Sequence, residues 1–164
     1  MSINFTNRAK LRGCAKRASI KNPTSHITPP TSLFPYPKAD RLKSRTEIAR
    51  LFAGGRNAGL HRYPIRLLFH WAEEPRGDTV IRLGISVPKR RFKRAVDRNR
   101  IKRLLREAYR LERAALMLEI TEIAAGRQLS AMILYTGKQE ENIDFVRRRM
   151  REVLSNMVRE IGEG

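Results

Sequence analysis

The sequence predicts an α/β (α+β) two-layer sandwich, in which helices pack on a small sheet. Three segments have the apolar alternation or continuous apolar runs of strands, and three others place apolar residues at helical spacing. They follow one another in the order helix–strand–strand–helix–strand–helix, which is typical of helices packed on a sheet. With 164 residues, of which 41% are hydrophobic, the chain can bury one modest core.

The first helix is predicted just after the extended segment 34–37, which contains two prolines. Ser44 stands three residues before Glu47, the spacing of a capping box. The pair Gly54-Gly55 is expected to end the helix. One face of this helix carries Ile48, Leu51 and Phe52.

Three strands are predicted over 63–71, 79–87 and 129–135, and Pro75 and Gly77 mark a turn between the first two. Two long helices are predicted over 95–120, where Gly126 follows as a breaker, and over 142–161. The apolar stripe of the first long helix is Ile101, Leu104, Leu105, Ala108, Leu111 and Ala115.

The charge of the chain points to a polyanionic partner. Lys and Arg number 35 against 16 Asp and Glu, which gives a net charge of +19. Such a charge favours nucleic acid as the partner over an anionic membrane. Cys14 is the single cysteine, which excludes an internal disulfide framework, and no apolar run approaches the roughly 20 residues of a membrane span. We therefore expect a cytoplasmic protein that does not enter a membrane.

Residues 1–33 are predicted to be a basic, disordered N-terminal arm, followed by the folded domain over 34–164. The arm carries six basic residues and no acid, with three prolines among Ser, Thr and Asn. Such a composition cannot bury enough apolar surface to order the segment. An unimportant tail is as good an interpretation of this arm as a functional one.

The strongest chemical signal is the segment 89–113, which has twelve basic residues and three acids. Helical spacing places Arg98, Lys102, Arg106, Arg110 and Arg113 on one face, offset from the apolar stripe. Solvated helix faces usually mix the two signs of charge, and this one hardly does. The segment therefore predicts a surface that binds RNA phosphates.

A weaker signal is a set of aromatic residues that can stack on single-stranded bases, although a place in the core is the commoner role for each: Phe52, Tyr63, Phe69 and Trp71. Strand alternation puts Tyr63 and Trp71 on the face opposite Arg66 and His70. Catalytic and metal-binding motifs are not found in the sequence: the histidines lack metal-ligand spacing, and the paired acids are sequence neighbours.

Two segments resemble the protein subunit of bacterial ribonuclease P. They are LGISVPKR over 83–90, and AVDRNRIKRLLRE over 95–107, which contains the Arg-Asn-Arg run that is the hallmark of that family. Arg41-Leu42-Lys43-Ser44 before the first helix matches as well, and the resemblance covers about residues 34–160. It implies a ribosomal protein S5 domain 2-like fold of order α-β-β-β-α-β-α, with a four-stranded sheet, a short extra strand near 56–59 and a left-handed βαβ crossover.

The resemblance also implies a function and its residues. The catalyst would be a partner RNA with bound Mg²⁺, and the protein would bind that RNA and the 5′ leader of precursor tRNA without supplying catalytic or metal-binding residues. The residues implied to face the RNA subunit are Arg98, Asn99, Arg100, Lys102, Arg103 and Arg106, with Lys89, Arg90 and Arg91 beside them. Phe52, Ile48 and Arg66 would line the leader cleft, where Ile48 replaces an aromatic residue of the family.

Two other functions remain open at this point. A ribosomal or ribosome-assembly protein that binds ribosomal RNA would also be basic and inactive alone. A nuclease that works without RNA would need clustered carboxylates to hold metal ions. In the ribonuclease P interpretation the free protein is expected to be monomeric, and precursor tRNA is its second partner.

Overall fold

A computed structural model describes residues 36–53, 58–74 and 77–163, so the predicted arm over 1–33 lies outside the described residues. The described residues form one compact unit. Its elements, in chain order, are α1 (Arg45–Phe52), β1 (Ala58–Arg62), β2 (Ile65–Trp71), β3 (Ile81–Ser86), α2 (Ala95–Ala124), β4 (Leu129–Tyr135) and α3 (Ile143–Glu163). This is the element order that the family resemblance implies.

The four strands form one mixed sheet in the order β1-β2-β4-β3. β2 pairs antiparallel with both β1 and β4, whereas β3 and β4 are parallel. A parallel pair needs a crossover connection, and α2 supplies it. The left-handed sense of this crossover stays a prediction. β1 confirms the implied extra strand, although it spans 58–62, and residues 56 and 57 lie outside the described residues.

The main core lies between one face of the sheet and the two long helices. Alternate residues of β2 and β4 point into it, and its central side chains are fully buried: Ile65, Leu67, Ile133, Leu105, Val146 and Met150. Both helices turn an apolar stripe toward this face, since their buried residues recur every three to four positions. The core therefore fixes which side of α2 is left for solvent.

Helix α1 covers part of the opposite face of the sheet. A second, small apolar cluster joins it to the strands and consists of Leu42, Leu51, Leu68 and Met132. Ser44 caps the helix, because its hydroxyl accepts a hydrogen bond from the Glu47 amide at 3.5 Å. Only half of the predicted capping box forms, since the Glu47 carboxylate accepts from Ser130 and Arg50 instead.

Helix α2 is longer than predicted, and its buried stripe is shifted. It continues to Ala124 and ends where Ala125 and Gly126 adopt positive φ angles of 47° and 83°. Ala115, predicted in the stripe, is exposed, whereas Tyr109 and Leu116 are buried. A 3.6-residue period drifts over eight turns, so a stripe extrapolated from the first turns leaves the core side before the helix ends.

Glu112 is a buried carboxylate that joins the two long helices. Its oxygens accept hydrogen bonds from Arg147 Nε at 2.6 Å and from Arg151 Nε at 2.7 Å, and both arginines belong to α3. Burial acts to raise the pKa of Glu112, but the hydrogen bonds from Arg151 and Arg147 outweigh it and hold that pKa below its usual value. The charged form of Glu112 therefore stabilises the folded state.

Because Arg151 and Arg147 lower the pKa of Glu112, the stability of the folded chain is expected to depend on pH. A carboxyl with a lowered pKa contributes stability above its unfolded pKa, about 4.3, and loses it as pH falls through the folded value. We expect acidification from about pH 6 to pH 3 to lower the melting temperature of the wild-type chain more than that of Glu112→Gln. Equal pH dependence of the two melting temperatures would show that Glu112 contributes nothing.

Candidate nucleic-acid interface

The first half of α2 and the loop before it carry a row of exposed cationic side chains. We call this the α2 basic strip; its cationic members are Lys89, Arg90, Arg91, Lys102, Arg103 and Arg106, and the neutral amide of Asn99 lies among them on the helix. Lys102 is half-buried and the other members are exposed. Within the described ranges, no carboxylate lies within ion-pair distance of any of the strip's six basic residues. The charge of the strip is therefore free to meet a polyanion.

Arg98 has a structural role that the sequence did not predict. Its guanidinium donates to the carbonyl oxygens of Phe92 at 2.8 Å and of Lys93 at 2.7 Å. Arg94 is the N-cap residue of α2 but makes no side-chain cap, so Arg98 fixes the loop that enters the helix. Arg98 therefore holds the strip's loop in place.

Several other arginines of segment 89–113 pair with acids and are therefore not part of the strip. Arg100 is bound to Glu140 at 2.8 Å and lies about 160° around the helix from Lys102. Arg110 pairs with Glu107 one turn before it. Arg113 pairs with Asp40 at 2.6 Å. The predicted helix face of five basic residues thus divides into an open part, Lys102 and Arg106, and a structural part, Arg98, Arg110 and Arg113.

The second candidate surface is the face of the sheet beside α1. Phe52, the last residue of α1, is 53% exposed, and Ile48 one turn earlier is half-buried against the small apolar cluster. Arg66 points to the same face, since it alternates with the core residues Ile65 and Leu67. The surface therefore combines an exposed ring, an aliphatic contact and a guanidinium.

The other aromatic residues do not join Phe52 in one stacking surface. Phe69 is buried in the main core on the opposite face of the sheet. Trp71 packs partly against that core, and the guanidinium of Arg127 covers its ring at 4.0 Å. Tyr63 is exposed in the turn between β1 and β2, where its hydroxyl donates to Glu141. Of these four aromatic residues, Phe52 alone therefore stays a candidate for stacking on a base.

Comparisons with known proteins point to one family. A family model described as Ribonuclease P matches residues 36–141, which include both candidate surfaces. The ribonuclease P protein component of Porphyromonas gingivalis is 39% identical over 129 residues, covering 77% of this chain and 88% of its own length. That of Dictyoglomus thermophilum is 35% identical over 113 residues, covering 69% and 82%.

The chain belongs to the ribonuclease P protein family.

Solved ribonuclease P proteins share its fold. The protein from Staphylococcus aureus superposes with a TM-score of 0.52 at 19% identity, covering 73% of this chain and 96% of that one. The protein from Thermotoga maritima gives a TM-score of 0.51 at 21% identity, covering 71% and 96%. The resemblance inferred from the Arg-Asn-Arg run is thus confirmed, as is the α+β fold.

Membership in the family establishes the general role of the chain. It is a protein component of ribonuclease P, the endoribonuclease that matures the 5′ ends of tRNA. The ribosomal alternative is not favoured. Within residues 36–53, 58–74 and 77–163, none of the helices combines the length and apolar character needed to cross a lipid bilayer.

The carboxylates of the chain offer no cluster for a metal ion in the described residues. The three buried ones are each bound by cationic partners: Asp40 by Arg113, Glu112 by two arginines of α3, and Glu47 by Arg50. Divalent metal ions such as Mg²⁺ favour free carboxylate oxygens and water. The three buried carboxylates are thus engaged by arginines.

Sequence reasoning gave no separate role to Arg41 and Lys43, which the structure brings next to Arg106 of the strip. They line one surface pocket with it at the edge of β3. The only signal for them in the sequence was their place in the segment before α1 that resembles the family.

Proposed function

We propose that the chain binds the catalytic RNA of ribonuclease P through the α2 basic strip and holds the 5′ leader of precursor tRNA on the sheet face beside Phe52. The observation that carries the proposal is the strip itself, a row of cationic side chains without carboxylate partners in the described residues. The free protein is a monomer in this proposal and works in the cytoplasm.

The strip suits a structured RNA for three reasons. Most of its cations are arginines, whose planar donor fork matches a phosphate. It extends from a loop to the start of the fourth turn of α2, so it presents donors over a length that spans several phosphates. Arg98 fixes the loop through its two carbonyl contacts, so the donors of Lys89, Arg90 and Arg91 are held near those of the helix.

The sheet face suits a single-stranded RNA segment. A base can stack on the exposed ring of Phe52, and Arg66 supplies a cation for the backbone on the same face of the sheet. Ile48 offers an apolar contact where the family has an aromatic residue, which leaves Phe52 as the only ring of α1 on this face.

Cleavage itself belongs to the RNA in this proposal. Hydrolysis of a phosphodiester with metal ions requires ligands that hold them, and in the described residues the buried carboxylates are occupied by arginines. The Mg²⁺ ions would be held by the catalytic RNA. The protein contributes positive charge where two polyanions, the catalytic RNA and the precursor tRNA, must approach each other.

Phe52→Ala tests the leader site. The ring is exposed, so its loss is expected to leave the melting temperature nearly unchanged. Loss of one base-stacking contact is expected to weaken binding of precursor tRNA to the assembled holoenzyme by about 1–3 kcal/mol. Affinities of precursor tRNA with its leader and of mature tRNA are compared, and mature tRNA should bind equally well to both forms.

Leu51→Ala is the matched control. Leu51 is the sequence neighbour of Phe52, but its side chain is fully buried in the small cluster. This change is expected to cost about 2–5 kcal/mol of unfolding free energy. Phe52 would not be a leader contact if Phe52→Ala lowered the melting temperature as much as Leu51→Ala does. The same would follow if Phe52→Ala weakened the binding of precursor tRNA and of mature tRNA equally.

A further inference from the structure

A surface pocket of about 180 Å³ lies at the free edge of β3. It is formed by the segment before α1, the edge strand and one residue of α2, and its lining residues are Tyr36, Arg41, Leu42, Lys43, Leu83, Gly84, Ile85 and Arg106. Three of its side chains are cationic and none is acidic. The pocket thus joins the N-terminal segment to the α2 basic strip.

The N-terminal segment is fixed to β3 by backbone hydrogen bonds. The Leu42 amide donates to the Leu83 carbonyl at 3.1 Å, and the Leu83 amide donates to the Asp40 carbonyl at 2.7 Å. The Tyr36 hydroxyl donates to the same Leu83 carbonyl at 2.6 Å. Burial and the nearby Asp40 carboxylate raise the pKa of Tyr36 to about 12, so this hydroxyl remains a donor. The positions of Arg41 and Lys43 are therefore set by the fold.

The three cations have no acidic partner among the described residues. Arg41, Lys43 and Arg106 are all exposed. The nearest acid on the segment, Asp40, is buried and bound to Arg113 at 2.6 Å, so it does not neutralise them. The Arg41 guanidinium lies 5.6 Å from the centre of the Tyr36 ring, which restricts its position.

The edge strand adds a backbone donor to the pocket. Along a parallel strand, amides alternate between the two edges. The Leu83 amide points to the outer edge, where it meets Asp40. The Ile85 amide, two residues further, points to the same edge, and the bridge to the N-terminal segment is made at Leu83. The N–H of Ile85 therefore faces the region of the pocket.

We propose that this pocket binds one backbone phosphate of RNA, held by Lys43, Arg106, Arg41 and the Ile85 amide. The proposal rests on the proposed function, since it assumes that the chain binds RNA on this side of α2. The pocket far exceeds the roughly 15 Å³ that one water needs, and it falls below the roughly 300 Å³ at which small-molecule sites begin. That size suits a phosphate group with its waters rather than a whole nucleotide.

A double-mutant cycle on Lys43→Gln and Arg106→Gln tests the site in the full chain. Each single change is expected to weaken RNA binding about tenfold, the effect of one charge-assisted hydrogen bond. Because both side chains hold the same phosphate, the double variant should lose clearly less than the hundredfold product. An additive hundredfold loss, or no loss in either single variant, would overturn the proposal.

Two arms distinguish the source of the phosphate. One measures affinity for ribonuclease P RNA alone, and the other measures affinity of precursor tRNA for the assembled holoenzyme. A coupled loss in the first arm assigns the phosphate to the catalytic RNA, and in the second to the substrate. Arg159→Gln is the control, because this exposed residue of α3 makes no ion pair with a described residue and the substitution changes the net charge equally. If Arg159→Gln lost as much RNA affinity, the effect of the pocket variants would come from net charge and not from a phosphate site.

Inorganic phosphate provides a probe that does not depend on RNA. Its titration into the free chain should shift the Ile85 amide resonance, and the Lys43→Gln/Arg106→Gln variant should abolish this shift. An Ile85 amide that does not respond overturns the site. Arg103→Gln separates this failure from that of the proposed function: if Arg103→Gln weakens RNA binding while the pocket variants do not, only the pocket is wrong.

Discussion

Replacing Arg90 and Arg103 together with glutamine is expected to weaken binding of the chain to ribonuclease P RNA about a hundredfold near physiological salt. Both side chains are exposed members of the α2 basic strip, and neither pairs with a carboxylate among the described residues. Each lost charge-assisted hydrogen bond to a phosphate costs about a factor of ten. Measured over a salt series, the log–log slope should fall by roughly 1.4 to 1.8, the contribution of two phosphates.

The control for this experiment removes two charges from another helix. Arg148 and Arg159 lie on the exposed side of α3, so Arg148→Gln/Arg159→Gln lowers the net charge by the same amount. The melting temperatures of both double variants should stay near that of the wild type. If the α3 variant lost as much RNA affinity as the α2 variant, binding would depend on net charge and not on the strip.

Arg113→Ala is expected to lower the free energy of unfolding by about 3–5 kcal/mol. Asp40 is 1% exposed and its carboxylate accepts from Arg113 Nε at 2.6 Å, so loss of the guanidinium leaves a buried charge without its partner. The pair joins the N-terminal segment to α2, and chemical denaturation with a two-state fit measures the loss. The segment carrying Arg41 and Lys43 should become more susceptible to proteolysis.

Asp40→Asn gives the matched comparison. Arg113 is 25% exposed, so without Asp40 it can turn its charge toward water, and the loss should be smaller than in Arg113→Ala. Adding Asp40→Asn to Arg113→Ala should recover part of the lost stability, because no buried charge remains. Stability that falls equally in the two single variants, with no recovery in the double, would contradict this explanation of the pair.

The elements that sequence reasoning located best are those with a strong apolar period. β4 was predicted with its observed bounds, and α2 and α3 begin within one residue of their predicted starts. The apolar pattern did not predict the strand β1, because its sequence AGLHR has only one large apolar residue. Its pairing with β2 is a tertiary interaction. Only the family resemblance implied it.

The candidate site was predicted in composition but not in the roles of its side chains. Spacing places Arg98 and Arg106 on the same face of α2, yet Arg98 binds two loop carbonyls while Arg106 remains open. Asp40 lies 73 residues from Arg113, and no local pattern pairs them. Contacts between residues so far apart in sequence depend on the order of the strands in the sheet. The period of apolar residues along the chain does not predict that order.

The most direct test is cleavage of precursor tRNA at physiological salt by three preparations: ribonuclease P RNA alone, this chain alone, and the two together. We expect no cleavage by the chain, weak cleavage by the RNA, and efficient cleavage by the mixture with a lowered requirement for Mg²⁺. The Arg90→Gln/Arg103→Gln variant should need more protein to reach the same rate. Metal-dependent cleavage by the chain rigorously freed of RNA, or a mixture no faster than the RNA alone, would contradict the proposal that the protein serves an RNA catalyst.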